Sequence, residues 1–419
     1  MSKCWKKGAL HVHTLWSDGR SLPEMALKSY QNAEFDFVCL SDHNVFQDDP
    51  NVWLSVRREE GKWPPDLSAD EYLRTKEMLG DILCEKIVSF KIFVRLKMFE
   101  ELRREWEVPG KFLVIPGEEI TLSNEKFDED QGRLYQMHIN VFNSSRYYPL
   151  PTGGGSAQKL IDRILEDYHR TEQNESFLMM NHPFYKTWDI DPMLLVNNPE
   201  FKVFEINNSG SSTMPEGWIY DREQYWDFIL AHRLVNGSGL IYGTSSDDAH
   251  FYDPERIDTV CGCARNFVVV NCPEEFSAAA IRNSILKGDF YASSGVMLDD
   301  VNFDPASKQL KIRIHAEENT AYRTDFIVTK CDFDRTVKYK EFPHEQESLS
   351  RFRPEIPQKI GEIVKSVSGT EAEYTMADDD LYVRAIVYSD KDTTFRMPFY
   401  PEKQCAWIQP VTADSVNYN

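Results

Sequence analysis

The sequence lacks any apolar run long enough to cross a bilayer, and its first residues lack the apolar core of a secretory signal. Basic residues are scarce beside acidic ones, because 47 Lys and Arg against 68 Asp and Glu give a formal net charge of -21. Nucleic acids and anionic membranes bind clustered Lys and Arg, so this balance disfavours both as partners. We therefore expect a cytoplasmic protein that binds neither nucleic acid nor membrane.

Cysteine motifs, repeats and phosphate loops are also missing. The eight cysteines are scattered, and the lone C-x-C of Cys261 and Cys263 has no second pair at zinc-ribbon spacing. The glycine run in "TGGGS" is not followed by the Gly-Lys-Ser/Thr of a nucleotide-binding loop. No repeat of solenoid length is present. We interpret the cysteines as ordinary thiols of a reducing compartment.

The chain does have the material for a large core. Its 419 residues are 41% hydrophobic and 13% aromatic, which suits a large barrel followed by a smaller module. The opening strand, helix and strand in "ALHVH", "SLPEMALKSYQNAE" and "FDFVCLSDH" predict a parallel α/β sheet or barrel. After about Asp300 the pattern changes to alternating strands without clear helices, which predicts a small β-sandwich.

Two boundaries follow from these patterns. We predict a barrel domain over residues 1–299 and a C-terminal β-sandwich domain over residues 300–419. Residues 46–110 interrupt the barrel, and the segment "DEYLRTKEMLGDILCEKIVSFKIFVRLKMFEELRREW" predicts a continuous helix within this insertion. We expect the insertion to lie near the barrel mouth and to shape a substrate pocket.

Polar side chains occur at the end of one predicted strand after another. In a closed parallel barrel the carboxyl ends of the strands meet on one face, where active sites are found. Six of the ten histidines lie at such positions together with carboxylates, and a metal cluster is the simplest cause. The positions are His11, His13, Asp42–His43, Glu118–Glu119, His138, His182 and Asp247–His250.

Side-chain alternation separates some neighbouring candidates. Residues two apart point to the same side of a strand, so His11 and His13 can both face the barrel mouth. Asp248 and His250 can do the same, which favours Asp248 over Asp247. The alternation does not separate Glu118 from Glu119.

These motifs, in their order, resemble those of the PHP (polymerase and histidinol phosphatase) superfamily. The matching stretches are "HVHTLWSDG", "SDHN", "PGEEIT", "MHIN", "NHP" and "SDDAH", spread over roughly residues 8–295. "GDFYASSGV" and "AWIQP" further resemble the CehA/McbA-type branch, in which a β-domain follows the barrel. The resemblance implies a distorted seven-stranded β/α barrel that holds two to three divalent metals.

The resemblance also implies which residues bind each metal. It selects Glu119 over Glu118, which it leaves as a supporting or surface residue. The implied ligands are His11, His13, Glu119 and Asp248 for the first metal, Glu119, His138 and His182 for the second, and Asp18, His43 and His250 for the third.

The expected function is hydrolysis of a small-molecule phosphoester. Imidazole and carboxylate ligands suit Zn, Mn or Fe, and clustered divalent ions turn a bridging water into hydroxide and bind a phosphoryl oxygen. Asp18, or His43 or His250 beside it, is expected to protonate the leaving group. The candidate phosphate contacts are Arg20, Lys186, Arg222 and Arg265.

Two other functions stay open at this point. The same metal-bound hydroxide can attack the carbonyl of a carboxylic or carbamate ester. The chain can also be a binding module without catalysis, although the complete ligand set argues against it.

Overall fold

A computed structural model describes residues 3–57, 66–128, 133–151, 156–171, 175–184, 189–209, 221–252, 262–272, 275–341, 351–393 and 403–413. The chain begins with a parallel β-α-β arrangement, as the sequence predicts. The helix starts at Pro23, whose ring suits a first helical position, and Leu22 is its N-cap residue. The elements are β1 (Trp5–Ala9), α1 (Pro23–Asn32) and β2 (Phe37–Leu40).

The insertion is not the continuous helix that its composition predicts. Gly80 ends the second helix at a φ of 70°, and the β-branched residues that follow form a hairpin instead. Its elements are β3 (Trp53–Arg57), β4 (Leu67–Ser68), α2 (Ala69–Leu79), β5 (Cys84–Val88), β6 (Lys91–Arg95) and α3 (Phe99–Trp106).

Strands and helices then alternate up to residue 293. The elements are β7 (Leu113–Asp128), β8 (Arg133–Phe142), α4 (Ala157–Thr171), β9 (Phe177–Met180), α5 (Pro192–Asn197), β10 (Val203–Asn208), α6 (Arg222–Val235), β11 (Tyr242–Ser246), β12 (Phe267–Asn271), α7 (Ala278–Leu286) and β13 (Phe290–Ser293).

The remaining described residues form strands, in line with the predicted change of character. These strands are β14 (Leu298–Asp304), β15 (Gln309–Ile314), β16 (Tyr322–Lys330), β17 (Tyr339–Glu341), β18 (Phe352–Pro354), β19 (Glu362–Ser368), β20 (Glu371–Thr375), β21 (Asp380–Asp392) and β22 (Lys403–Val411).

One 13-stranded sheet runs through the molecule in the order β11-β10-β9-β8-β7-β2-β1-β12-β13-β22-β21-β16-β19. Within the described ranges its ladders do not close on themselves, so the predicted seven-stranded barrel is not confirmed. A single isolated bridge joins Val12, beyond β1, to Ala249, beyond β11. This bridge brings the end of the first strand beside the end of β11.

Strand β8 departs from the parallel arrangement that the sequence analysis assumed. It pairs antiparallel with both β7 and β9, because only the short connection from Asp128 to Arg133 separates it from β7. His138 therefore lies within an antiparallel strand, opposite Thr121, rather than at the carboxyl end of a parallel one.

The C-terminal strands continue the same sheet. β13 pairs with β22, so backbone hydrogen bonds cross the predicted boundary after residue 299, and the division into two domains stays a prediction. A second sheet, β14-β15-β20, shares a hydrophobic cluster with the C-terminal strands of the large one. In the parts of the chain that the structure describes, no helix is both long and apolar enough to cross a membrane.

Candidate metal centre

All nine predicted ligands lie close together in the structure. Six are imidazoles and three are carboxylates, and they fall into four overlapping groups whose ligand atoms lie within 4.8 Å of one another. The groups are His11–Glu119–His182, His11–His13–Asp248, His43–Glu119–His138 and His13–Asp18–His43–His250. The structure thus brings the same residues together but links them differently from the three sets that the resemblance implies.

The innermost part of the cluster is formed by His11, His13 and Asp248. The two Nε2 atoms of His11 and His13 are 3.0 Å apart, and the Asp248 Oδ1 lies 3.3 Å from the first and 3.0 Å from the second. Both histidines are fully buried, and Asp248 takes a φ of 51° to reach them. The two Nε2 atoms and the Asp248 Oδ1 are therefore close enough to bind one cation.

The Glu119 carboxylate lies between two pairs of imidazoles. Its Oε1 is 3.3 Å from His11 Nε2 and 3.1 Å from His138 Nδ1. Its Oε2 is 3.2 Å from His13 Nε2 and 2.7 Å from His43 Nδ1. A carboxylate whose two oxygens face different imidazoles has the geometry of a bridging ligand.

Asp18, His43 and His250 form the solvent-facing edge of the cluster. Their side chains are 31%, 17% and 17% exposed, whereas His11, His13 and Glu119 are fully buried. His250 Nε2 lies 3.1 Å from Asp18 Oδ1, and His43 Nε2 lies 3.5 Å from Asp18 Oδ2. A substrate can reach the cluster from this edge.

A tight turn carries Asp18 to this edge. Asp42 accepts hydrogen bonds from Thr14 N at 2.7 Å and from Ser17 Oγ at 2.6 Å, which fixes the turn beside His43. A Cβ at Gly19 would lie 2.6 Å from the Thr14 backbone, so only glycine fits there. The Asp-Gly pair thus forms a turn and also places a candidate ligand.

The donor set fits divalent cations. Zinc bonds to nitrogen and oxygen are about 2.1 Å long, so neighbouring donors of a tetrahedral site lie about 3.4 Å apart. The separations of 3.0–3.3 Å among His11, His13 and Asp248 are close to that edge length. Mixed imidazole and carboxylate donors also suit Mn and Fe.

The electrostatics also favour a cation. Burial opposes ionisation of Glu119, but the imidazoles of His43, His11 and His138 outweigh it and hold the pKa of this carboxyl well below its usual range. Burial lowers the pKa of His138 to about 4, which leaves it neutral and able to coordinate. At such a buried anion surrounded by imidazoles, a metal ion can take the place of the protons on the imidazoles.

The two neighbouring carboxylates lie away from the cluster. Glu118 is buried, not on the surface, and accepts a hydrogen bond from Tyr148 N at 2.8 Å, while burial raises its pKa to about 8. Asp247 is buried on the other side of its loop, where it accepts from Arg265 N at 3.0 Å and from Asn266 N at 2.9 Å. The structure therefore places Glu119 and Asp248, not their neighbours, at the candidate site.

The residues predicted to contact the phosphate have different surroundings in the structure. Arg20 is exposed, and its backbone N donates to His250 O at 2.9 Å, so it lies beside the solvent-facing edge. Arg222 donates to Asn207 Oδ1 at 2.5 Å, and Arg265 lies in the loop held by Asp247. Lys186 lies outside the described residues.

Sequence patterns missed two residues that contact the ligands. Glu205 in β10 is buried, and its Oε1 lies 2.8 Å from His11 Nδ1. Asn181 donates to Glu119 Oε1 at 2.7 Å. A glutamate inside the otherwise apolar start of "VFEINN" is the signal that points to the first, and the second directly precedes His182 in "NHP".

The other histidines of the described residues lie away from the cluster. His232 is buried in α6, His169 is exposed on α4 and His315 is exposed on the C-terminal strands. His344 lies outside the described residues.

Comparison with known proteins adds weak similarities. No known family model matches the sequence, and no curated protein is significantly similar to it. A two-domain protein from Bacteroides vulgatus, described as containing a predicted PHP-like metal-dependent phosphoesterase, has a TM-score of 0.40 and 14% identity over 91% of this chain and 90% of its own. A protein from Bifidobacterium adolescentis, provisionally described as a metal-dependent phosphoesterase, has a TM-score of 0.30 and 13% identity over 59% of this chain and 89% of its own. Similarities this weak establish neither a shared fold nor a shared activity.

Proposed function

We propose that the chain is a metal-dependent hydrolase of the PHP superfamily, in its CehA/McbA-type branch, that cleaves a phosphoester of a small molecule. The observation that carries this proposal is the convergence of nine ligand-competent side chains on one site that is buried inside and open at one edge. Structural ion pairs do not account for six imidazoles around three carboxylates, because each buried imidazole is costly unless its ring nitrogens are bound.

The buried residues are proposed to hold the metal ions. His11, His13 and Asp248 would hold one cation, and the two oxygens of Glu119 would connect it to a second site at His138 and His182. Two or three divalent ions of Zn, Mn or Fe would polarise a phosphoryl oxygen and lower the pKa of a coordinated water.

The exposed edge is proposed to act on the substrate. With two cations bound, His250, whose Nε2 lies 3.1 Å from Asp18 Oδ1, would donate a proton to the leaving oxygen, whereas a third cation would bind to this group. Arg20 lies closest along the chain to this edge and is the first candidate for contact with the phosphate. The local field of the metals lets an anion enter a chain with a net charge of -21.

The test combines metal analysis with a substrate screen. We expect purified, metal-loaded protein to retain at least two divalent ions and to hydrolyse p-nitrophenyl phosphate or bis(p-nitrophenyl) phosphate. Chelation should abolish this turnover, and added metal should restore it.

Two results would contradict the proposal. Turnover of p-nitrophenyl acetate without any phosphoester would indicate a carboxylic or carbamate ester hydrolase. Fewer than two bound ions together with no turnover of either class would indicate a binding module.

A further inference from the structure

Glu205 is a buried carboxylate that the proposed chemistry does not use. It lies in β10, all of whose side chains are buried, and it is 1% exposed. An ionised carboxylate in such a place is unfavourable unless hydrogen bonds replace its water.

Both oxygens of Glu205 have donors. Its Oε1 lies 2.8 Å from His11 Nδ1 and also accepts from the Ser246 hydroxyl. Its Oε2 accepts from the backbone N of His182 at 2.8 Å and from Asn208 Nδ2 at 2.7 Å. One carboxylate therefore contacts two predicted metal ligands on two different strand ends.

The bond to His11 decides how that imidazole can bind a metal. With Nδ1 donating its proton to Glu205, the Nε2 atom carries the lone pair. That Nε2 lies 3.0 Å from His13 Nε2 and 3.3 Å from Asp248 Oδ1, in the centre of the cluster. A carboxylate behind a ligand histidine fixes the tautomer and raises the basicity of the metal-facing nitrogen.

The bond to His182 fixes the backbone beneath a second ligand. His182 has a φ of 21°, which a non-glycine residue keeps only when its surroundings hold it. The Glu205 Oε2 accepts from this residue's N–H, so the carboxylate anchors the unusual conformation that turns the imidazole toward Glu119.

We propose that Glu205 is a positioning residue that sets His11 and His182 for metal binding from behind the cluster. The proposal rests on the proposed function in one respect, namely that the cluster binds divalent cations. Besides the nine candidate ligands, metal affinity then depends on a tenth residue, which lies in a strand that supplies no ligand.

The main test is the Co²⁺ affinity of Glu205→Gln, measured from the visible absorption of the bound ion. Glutamine keeps the size of the side chain, but its amide N–H₂ group replaces one carboxylate oxygen and faces hydrogen-bond donors. At least one of the four hydrogen bonds that Glu205 accepts must then be lost. We expect affinity to fall 10–100-fold, the usual effect of losing such a supporting carboxylate. The absorption spectrum should also change, because the geometry around His11 relaxes.

Glu118→Gln is the matched control. Glu118 is an equally buried glutamate in β7 of the same sheet, but it accepts a hydrogen bond from Tyr148 N and lies away from the cluster. We expect its Co²⁺ affinity and spectrum to match those of the wild type.

A double variant separates positioning from general support of the fold. If Glu205 acts through His11, then Glu205→Gln should reduce Co²⁺ affinity much less in a His11→Ala background than in the wild type. Fully additive losses would overturn the part of the proposal that concerns His11. If Glu205→Gln does not fold, Asn208→Ala removes one donor from the carboxylate and should weaken Co²⁺ binding by a smaller factor, and unchanged affinity there would overturn the proposal.

The outcomes distinguish this inference from the proposed function. Wild-type protein that binds Co²⁺, with Glu205→Gln binding it equally well, would refute the role of Glu205 and leave the metal centre in place. Wild-type protein that binds no Co²⁺ would refute both.

Discussion

At the scale of single residues, the candidate ligands hold conformations and charges that stability alone does not favour. Asp248 and His182 have φ angles of 51° and 21°, in the left-handed region that non-glycine residues rarely adopt. Such features cost about 1–3 kcal/mol each and persist where function requires them. Removing a ligand should therefore harm activity far more than folding.

His43→Ala and Asp248→Ala test this expectation directly. Each removes a donor from a different group of the cluster, so we expect phosphoester turnover to fall by more than about 100-fold. Far-UV circular dichroism should be nearly unchanged. His169→Ala, which removes an exposed histidine of α4, should keep full activity. Normal turnover in either ligand variant would mean that the ligand assignment is wrong.

His232 gives a pH-dependent prediction away from the cluster. Burial lowers its pKa below the ordinary value of 6.5, and its Nδ1 bonds Phe228 O at 2.9 Å. Below about pH 6.5 the unfolded chain therefore binds a proton that the folded chain does not, and the stability contributed by neutral His232 is lost as pH falls. His232→Asn keeps an N–H near Nδ1 but cannot titrate.

The measurement is the free energy of unfolding in urea at about pH 7.5 and about pH 5. His232→Asn should be less stable than the wild type at the higher pH, because packing is lost. The difference should narrow at the lower pH, because only the wild type loses stability as His232 is protonated in the unfolded chain. For an exposed control, His169→Asn, the difference from the wild type in the free energy of unfolding should be the same at both pH values. If the pKa of His232 is not lowered, the difference for His232→Asn should also be the same at both pH values.

Single-residue patterns were enough to name the candidate ligands, but they could not reveal the residues that support those ligands. Histidines and carboxylates two apart at strand ends are visible in the sequence, since alternation is a local property. Glu205 looks like one polar position in a core strand, and only the pairing of β10 with β9 and β11 brings it behind His11. Contacts between residues far apart in sequence are fixed by the order of the sheet, which no local pattern encodes.

At the scale of elements, the insertion shows where composition misleads. The residues of β5 and β6 mix charged and apolar side chains in a way that also matches a helix, but the chain turns at Ser89 and Phe90 instead. These two residues have φ angles of 48° and 63°, the pattern of a two-residue hairpin turn that favours Asn-Gly. A phenylalanine is a poor choice for the second position of such a turn.

Phe90→Gly should therefore stabilise the protein. Its ring is fully exposed, so nothing is lost from the core, and glycine adopts a φ of 63° without strain. We expect a gain of about 0.5–1 kcal/mol in the free energy of unfolding, measured in urea. Phe90→Ala removes the ring but keeps the strained φ and should give no gain. A loss of stability in Phe90→Gly would mean that the ring makes contacts that the structure does not show.

At the scale of the whole molecule, the large sheet joins the candidate site to the C-terminal strands. The predicted change after residue 299 is visible as a change from mixed elements to strands, yet β22 pairs with β13 and extends the same sheet. The sequence could predict the change because it is local. It could not predict that the two parts share one sheet, since that depends on edge pairing over long distances.

A buried ion network crosses this junction and carries the last prediction. Arg384 of β21 donates to Asp227 Oδ2 at 2.6 Å and to Glu223 Oε2 at 2.7 Å, both on α6. Tyr382 and Trp407 donate to the same two carboxylates, at 2.6 Å and 2.7 Å. The guanidinium is fully buried, so α6 and the C-terminal strands depend on each other through it.

Arg384→Met should destabilise the whole chain, because it leaves Asp227 and Glu223 without their buried counter-charge. Breaking one partner of such a network costs about 3–5 kcal/mol, and we expect a loss of that size in urea unfolding. Arg351→Met, which removes an exposed arginine beside the exposed Glu341, should cost less than about 1 kcal/mol. If the C-terminal strands were an independent domain, Arg384→Met would shift only one of two separate transitions. Because the sheet is continuous, we expect a single transition, monitored by fluorescence and circular dichroism, to move as a unit.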